Sequence, residues 1–378
     1  MSKPSNSLLA ATTTPLASIF GSGFLIIVPI LAGAVGRYSV VAMVGVSALA
    51  VVVGSVIRFN IRNAEPVLAD KPPESTLSLE RSSDFALTFA YVISVALYLH
   101  ILSAFVLGGL GGDTPLNQNL LTTSVIAFIM VIGITKGLGP LSALERWALL
   151  ITLVVIGLLF AGFGHFDWNA WKSSAGLQMP TPADHTPWEV LTILAGTLIV
   201  VQGFETPRYL GDEFDTDTRI KASRWSQIIS TFVYVAFVAL ALPIAHLLDG
   251  KYDDNSLIEL AKFASPLLVT PLIIAAALSQ FSAAVADTMS ASGNMEEVSH
   301  HQLKEKFGYL IVGGGAIALT WSADTLEIAA LASRAFAFYY MLQCFVAFTV
   351  SRSTAQRIGL VLIAAVLAFI TVFAVPAS

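Results

Sequence analysis

The chain has 378 residues, 56% of them hydrophobic and only 12% charged, with a mean hydropathy of +0.77 and a formal net charge of -5. A soluble globular chain carries about 25% charged residues, so a soluble enzyme, a nucleic-acid binder and a disulfide scaffold are excluded. The charge is small and dispersed, which points to no acidic or nucleic-acid partner, and the single cysteine, Cys344, cannot form an internal disulfide.

Apolar runs near the ~20-residue length that crosses a bilayer recur from end to end. They predict an all-α membrane protein of about eleven spans, with cores at Leu8 to Leu31, Val40 to Ile57, Phe85 to Leu107, Leu120 to Ile134, Leu144 to Phe163, Trp188 to Leu210, Gln227 to Leu248, Pro266 to Ser292, Phe307 to Trp321, Leu326 to Val350 and Ile358 to Val375. Short cytoplasmic loops collect Lys and Arg. With the N-terminus inside, only Arg37, Lys172, Lys251 and Lys262 fall outside and Arg334 falls within the tenth span; the other fifteen of the 20 basic residues lie inside. That asymmetry supports the span count, an N-terminus in the cytoplasm and a multi-pass place in the plasma membrane. Short loops without a glycosylation sequon favour a bacterial inner membrane.

Two spans are interrupted. The first carries Gly21-Ser22-Gly23-Phe24 at its middle with Pro29 beyond; the sixth carries Gln202-Gly203-Phe204-Glu205-Thr206-Pro207-Arg208. They lead two five-helix halves, residues 1–165 and 186–350, joined by an extracytoplasmic loop at 166–185 and followed by an additional span at 351–378. Interrupted spans at corresponding places of two halves point to an inverted-repeat transporter with its site at the breaks. An unwound helix in hydrocarbon frees backbone groups that cost several kcal/mol each unless something binds them. N-H groups around Gly21, Ser22 and Gly23 suit a carboxylate; the carbonyls near Gln202 and Gly203, with Glu205, suit a cation. A zwitterion would satisfy both. The bland alternative is a pair of glycine packing contacts.

With these residues in view, the chain resembles the amino acid-polyamine-organocation (APC) superfamily, which has the LeuT-type 5+5 inverted repeat with broken helices 1 and 6. The likeness rests on Gly21-Ser22-Gly23-Phe24 with Pro29, on Gly203-Phe204-Glu205, and on the acidic and basic stretch Gly211 to Ala222. It implies secondary transport of an amino acid or related amine by alternating access. Gly21, Ser22 and Gly23 would hold the carboxylate, and Gln202, Gly203, Phe204 and Glu205 the amino group. Glu205 would link binding to protonation, and Ser279 and Ser282 of span eight would sit where sodium-coupled relatives coordinate their ion. The sequence departs from the family in lacking a proline after the acidic pair and in its short length.

Other residues support this picture. Ser279, Ser282, Ala286, Asp287 and Ser290 share one helical stripe suited to a cavity wall, as do Tyr91, Ser94 and Tyr98 of span three. Asp287 is an ion-coupling candidate and could also pair with Arg334. Phe204 is a candidate lid, and His100 either a buried neutral imidazole or a protonation switch. Trp147 to Phe163 has no lysine of the kind some proton-coupled relatives use, so H+ and Na+ coupling both stay open. No catalytic motif, cofactor motif or Cys/His cluster occurs, so no enzyme, cofactor or metal site is expected. The alternatives are a channel-like protein and a LeuT-fold carrier for an inorganic cation, although the Asp-Pro-Gly-Asn and Met-Pro-His breaks of Nramp-type metal carriers are missing.

Overall fold

The structure, a computed structural model, describes residues 7–142, 144–174, 176–181, 184–299 and 302–377, without the side chains of Ser22, Pro140 and Ser142. Among these residues it is all helical. Span one is α1 (Leu8–Ser22) and α2 (Ile27–Val35). Spans two to five are α3 (Ser39–Ala69), α4 (Glu74–Leu110), α5 (Pro115–Lys136) and α7 (Leu144–Lys172), with a helical turn α6 (Gly139–Ser142) before the last. Span six is α8 (Pro187–Ala195) continued by two 3-10 turns, Leu198–Val201 and Thr206–Tyr209. Then come α9 (Thr216–Ala245), a loop helix α10 (Ser256–Ala264), α11 (Val269–Val298), α12 (Glu305–Thr320), α13 (Thr325–Val350) and α14 (Thr354–Phe373).

Among the described residues, eight helical stretches are long and apolar enough to cross a membrane. The two interrupted spans and the 16-residue α12 complete the eleven. Helix starts follow local chemistry. Thr186 and Glu189 form a capping box on α8, Asp324 and Glu327 form another on α13, and Asp215 caps α9, each satisfying N-H groups that the first turn leaves unpaired. Several helices outrun their apolar cores. The sequence places Arg58 and Arg62 in a loop, whereas α3 continues through them, because Arg58 bonds Gln227 (2.5 Å) and Arg62 pairs with Asp217 (2.8 Å) on α9.

The centre of the bundle is α4, buried at every residue from Ala90 to Phe105, as expected of a helix that is apolar all round. It packs chiefly on α11 and α13. At the periphery, Ile358, Val361, Leu362 and Val366 of α14 are exposed, a lipid-facing stripe. One end of the bundle, the basic end, carries most of the Lys and Arg.

Candidate substrate site

Both interrupted spans are broken where the glycines fall. α1 stops at Ser22 and α2 starts at Ile27, with Gly23 accepting from the N-H groups of Ile26 and Ile27 (3.3 and 3.2 Å). Gln202 is extended, and Gly203 has φ +123°, which L side chains rarely adopt. The breaks then lie against each other. A Cβ on Gly23 would stand 2.4 Å from Val200 Cα, and one on Gly203 would stand 2.6 Å from Ser18 Oγ and 2.8 Å from Ile19 N. Both glycines are therefore sites of close backbone approach between spans one and six.

Side chains from neighbouring helices take up the backbone groups that the breaks release. The Tyr234 hydroxyl of α9 lies 2.7 Å from Ile19 O and 3.0 Å from Val200 O, bridging the two breaks. Gln280 of α11 donates to Gly21 O (2.5 Å). Ser333 of α13 donates to Gly196 O (2.6 Å) and accepts from Ile199 N (3.0 Å), while Ser223 donates to Phe204 O (3.0 Å). Glu205, fully buried, accepts from Gln202 Nε2 (2.6 Å), Gly203 N (3.0 Å) and the Tyr340 hydroxyl (2.7 Å). Sequence reasoning missed Tyr234, Gln280 and Ser333. Their signal was an uncharged polar group inside an apolar span.

Beside this knot, towards the basic end, is a cavity of about 450 Å³ between α1, α4, α7, α11 and the end of span six. Gly21, Tyr91, Ser279, Ser282 and Asp287 line it, with Ser18, Thr152 and Tyr209; Thr14, Leu210, Asn294 and Glu297 also border it. Of the sequence candidates, Gly23, Phe24, Gln202, Gly203, Phe204, Glu205 and Tyr98 are not in its wall. Phe24 packs on Phe237 (6.2 Å between centroids), Phe204 stacks on Tyr340 (5.2 Å), and the Tyr98 hydroxyl lies 3.4 Å from Gln202 Oε1. The side chain of Ser22 lies outside the described residues.

The wall is acidic. It carries the carboxylates of Glu145, Asp287 and Glu297, and no Lys, Arg or His is among its described residues. Thr14, Ser18 and Gly21 set the flank of α1 along the cavity, while the last-turn carbonyls of Ile19 and Gly21 are met by Tyr234 and Gln280. The expected N-H end instead lies behind Gly23 against Val200. Asp287 accepts from the Ser94 hydroxyl. The pairing of Asp287 with Arg334 does not form, because Arg334 turns outward and donates to Val372 O on α14 (2.9 Å). Thr152 Oγ1 is buried in the wall without a protein partner, leaving it available to a ligand.

The opposite end is closed. Tyr252 lies over Gly33 of α2, 3.1 Å from where a Cβ would be, and leaves a crevice of only about 20 Å³. At the basic end, Arg208 pairs with Glu80 (2.6 Å) on α4. Arg219 pairs with Glu65 (2.6 Å) on α3 and donates to Arg208 O (3.0 Å), fixing the end of span six.

A multi-pass helical bundle with two discontinuous spans meeting at mid-bundle, beside a cavity open towards one end only, is the architecture of a membrane transporter. The chain belongs to the APC superfamily: the sequence model of a family described as "APC superfamily transporter" matches residues 3–375. An uncharacterized protein of Aquifex aeolicus is 39% identical over 374 residues, 97% of this chain and 90% of its own. The fold is similar to a manganese transporter of Eremococcus coleocola, crystallised with an aromatic bis-isothiourea substituted compound (TM-score 0.56, 15% identity, 97% of this chain and 86% of that one). It is also similar to the inward-facing conformation of Mhp1 (TM-score 0.56, 13% identity, 89% and 75%). The fold is thus LeuT-type.

Proposed function

We propose that this transporter is a secondary carrier of an amino acid or related amine, working by alternating access in the plasma membrane with its N-terminus and basic end in the cytoplasm. On that orientation the structure is the inward-open state. The observation that carries the substrate class is the cavity wall, with three carboxylates and no basic side chain among its described residues. Such a wall favours a positively charged nitrogen and disfavours a free anion. Asp287 receives the ammonium, and Tyr91, Ser279, Ser282 and Thr152 supply hydroxyls around it. Coupling to H+ or Na+ runs through the same stripe of α11. We assign Glu205 to holding the span-six break, since neutral donors occupy it on three sides.

The test is thermal stabilisation of the purified full chain by a panel of amines, amino acids, sodium chloride and manganese chloride, since a ligand of the folded state raises its melting temperature. Stabilisation by compounds with a free amino group, lost in Asp287→Asn, is the expected result. Stabilisation by manganese alone would replace the proposal with the inorganic-cation reading.

A further inference from the structure

A second acidic hollow lies at the closed end, away from the cavity. It is a basin of about 550 Å³ between α4, the start of α5, the end of α12, the start of α13 and the loop before α10. Asp253, Asp254, Asp324 and Glu327 line it, and no Lys or Arg is among its described residues. Not all of these charges are free. Asp324 and Glu327 cap the first turn of α13, and Thr325 donates to Asp254 (2.5 Å). The start of α5 is likewise capped, by Thr114. Local capping therefore already answers the helix N-termini that open here, and Asp253 and Asp254 remain as charge without a cationic partner. Burial first, and then the repulsion of Asp113, Asp253 and Asp324, push the Asp254 carboxyl up to about 6, against the hydrogen bond from Thr325.

His100 supplies the independent observation. It projects from α4 into this basin and is 2% exposed; one ring nitrogen faces the Thr320 backbone carbonyl, and the other has no partner. A neutral imidazole offers one acceptor nitrogen and one N-H; with the N-H turned to Thr320, the acceptor nitrogen is left buried and unmet, which is costly. A ligand that donates hydrogen bonds and carries positive charge would meet the imidazole and the two aspartates together. No three His, Cys, Asp or Glu groups among the described residues converge closely enough to hold a metal ion, which leaves a more diffuse cation with several N-H donors.

We infer that the basin around His100, Asp253 and Asp254 is a second ammonium site, on the face opposite the cavity, taking an organic amine. The choice of an amine rests on the substrate class proposed above. The site is spatially separate: His100 stands nine residues beyond Tyr91 on α4, roughly 13 Å along the helix. Occupation would tie the loop at Asp253 and Asp254 to α4 and α13. That loop also carries Tyr252, which closes the far end over Gly33, so an amine here would hold that end shut.

Isothermal titration of the detergent-solubilised full chain with butylamine and 1,4-diaminobutane tests this, alongside magnesium and manganese chloride. Two binding phases are expected for the amines. Asp253→Asn/Asp254→Asn should remove one, and His100→Leu should weaken that same phase about tenfold; Asp287→Asn should remove only the other. Asp253→Asn alone, at an exposed side chain, gives the same reading if the double variant folds poorly. Survival of both phases in all the basin variants, or a basin phase seen with the metal salts only, overturns the inference. Absence of the cavity phase from the parent protein, with the basin phase present, would count against the proposed function and leave the basin standing.

Discussion

The paired breaks and the cavity beside them meet along α1 and the end of span six, yet they have opposite chemistry. At the breaks, released carbonyls and N-H groups are met by Tyr234, Gln280, Ser333 and Glu205, and the glycines serve to bring two backbones together. In the cavity, carboxylates and a buried hydroxyl face open space without cationic partners. The contrast teaches that unwinding a helix in a membrane need not create a ligand site where the backbone opens. Here protein side chains occupy the opening, and the cavity lies beside it, lined by α1, α7 and α11.

Substitutions that fall on one region and spare the other should separate the two. The largest effect is expected at Gly203→Ala, where positive φ and contact with Ser18 and Ile19 should cost about 3 kcal/mol or more, read as loss of folded protein. Next, Asp287→Asn should weaken amine binding about 100-fold while the unfolding temperature of the ligand-free protein barely moves; equal losses of both would erase the distinction between the regions. Tyr234→Phe should do the reverse. It leaves two buried carbonyls without their shared donor and should lower stability by about 1–2 kcal/mol, with amine affinity retained once folded.

A smaller effect sharpens the view of the closed end. The Asp254 carboxyl, held up at about 6 in the fold against about 3.9 when unfolded, binds its proton more tightly in the folded state. Its contribution is therefore complete below about pH 4 and lost as pH rises through 6. Asp254→Asn should be more stable than the parent at pH 8 by on the order of 1 kcal/mol, with the difference gone at pH 4, as thermal melts across that range would read. The groups it faces in this comparison are Asp113, Asp253, Asp324, Glu327 and His100. Smallest of all, the exposed pair Lys262–Glu259 at 3.6 Å should give less than about 0.5 kcal/mol on Lys262→Ala.

Much of the architecture was legible because the membrane imposes a simple arithmetic. Crossing needs some twenty apolar residues, so the spans stand out, and glycine with buried polar residues marks both interruptions. Helix ends read less well, since Arg58 and Arg62 continue α3 by pairing with residues about 160 positions away. The stripe of Ser279, Ser282 and Asp287, and Tyr91 opposite, were visible as helical periodicity and do share one cavity. Glu145 and Thr152 were not, because nothing in α7's own pattern says which of its faces meets α11.

Composition, run length and the position of glycines were sufficient for the kind of molecule and for where its helices break, since these depend on local backbone freedom and on transfer from water to hydrocarbon. Which polar groups end up consumed inside the protein, and which are left facing a hollow, depended on helices distant in sequence coming to rest beside one another. A hydrogen bond such as that of Tyr234 to Ile19 exists only once that packing has formed, and the same packing turned Arg334 away from Asp287 and left the cavity wall acidic.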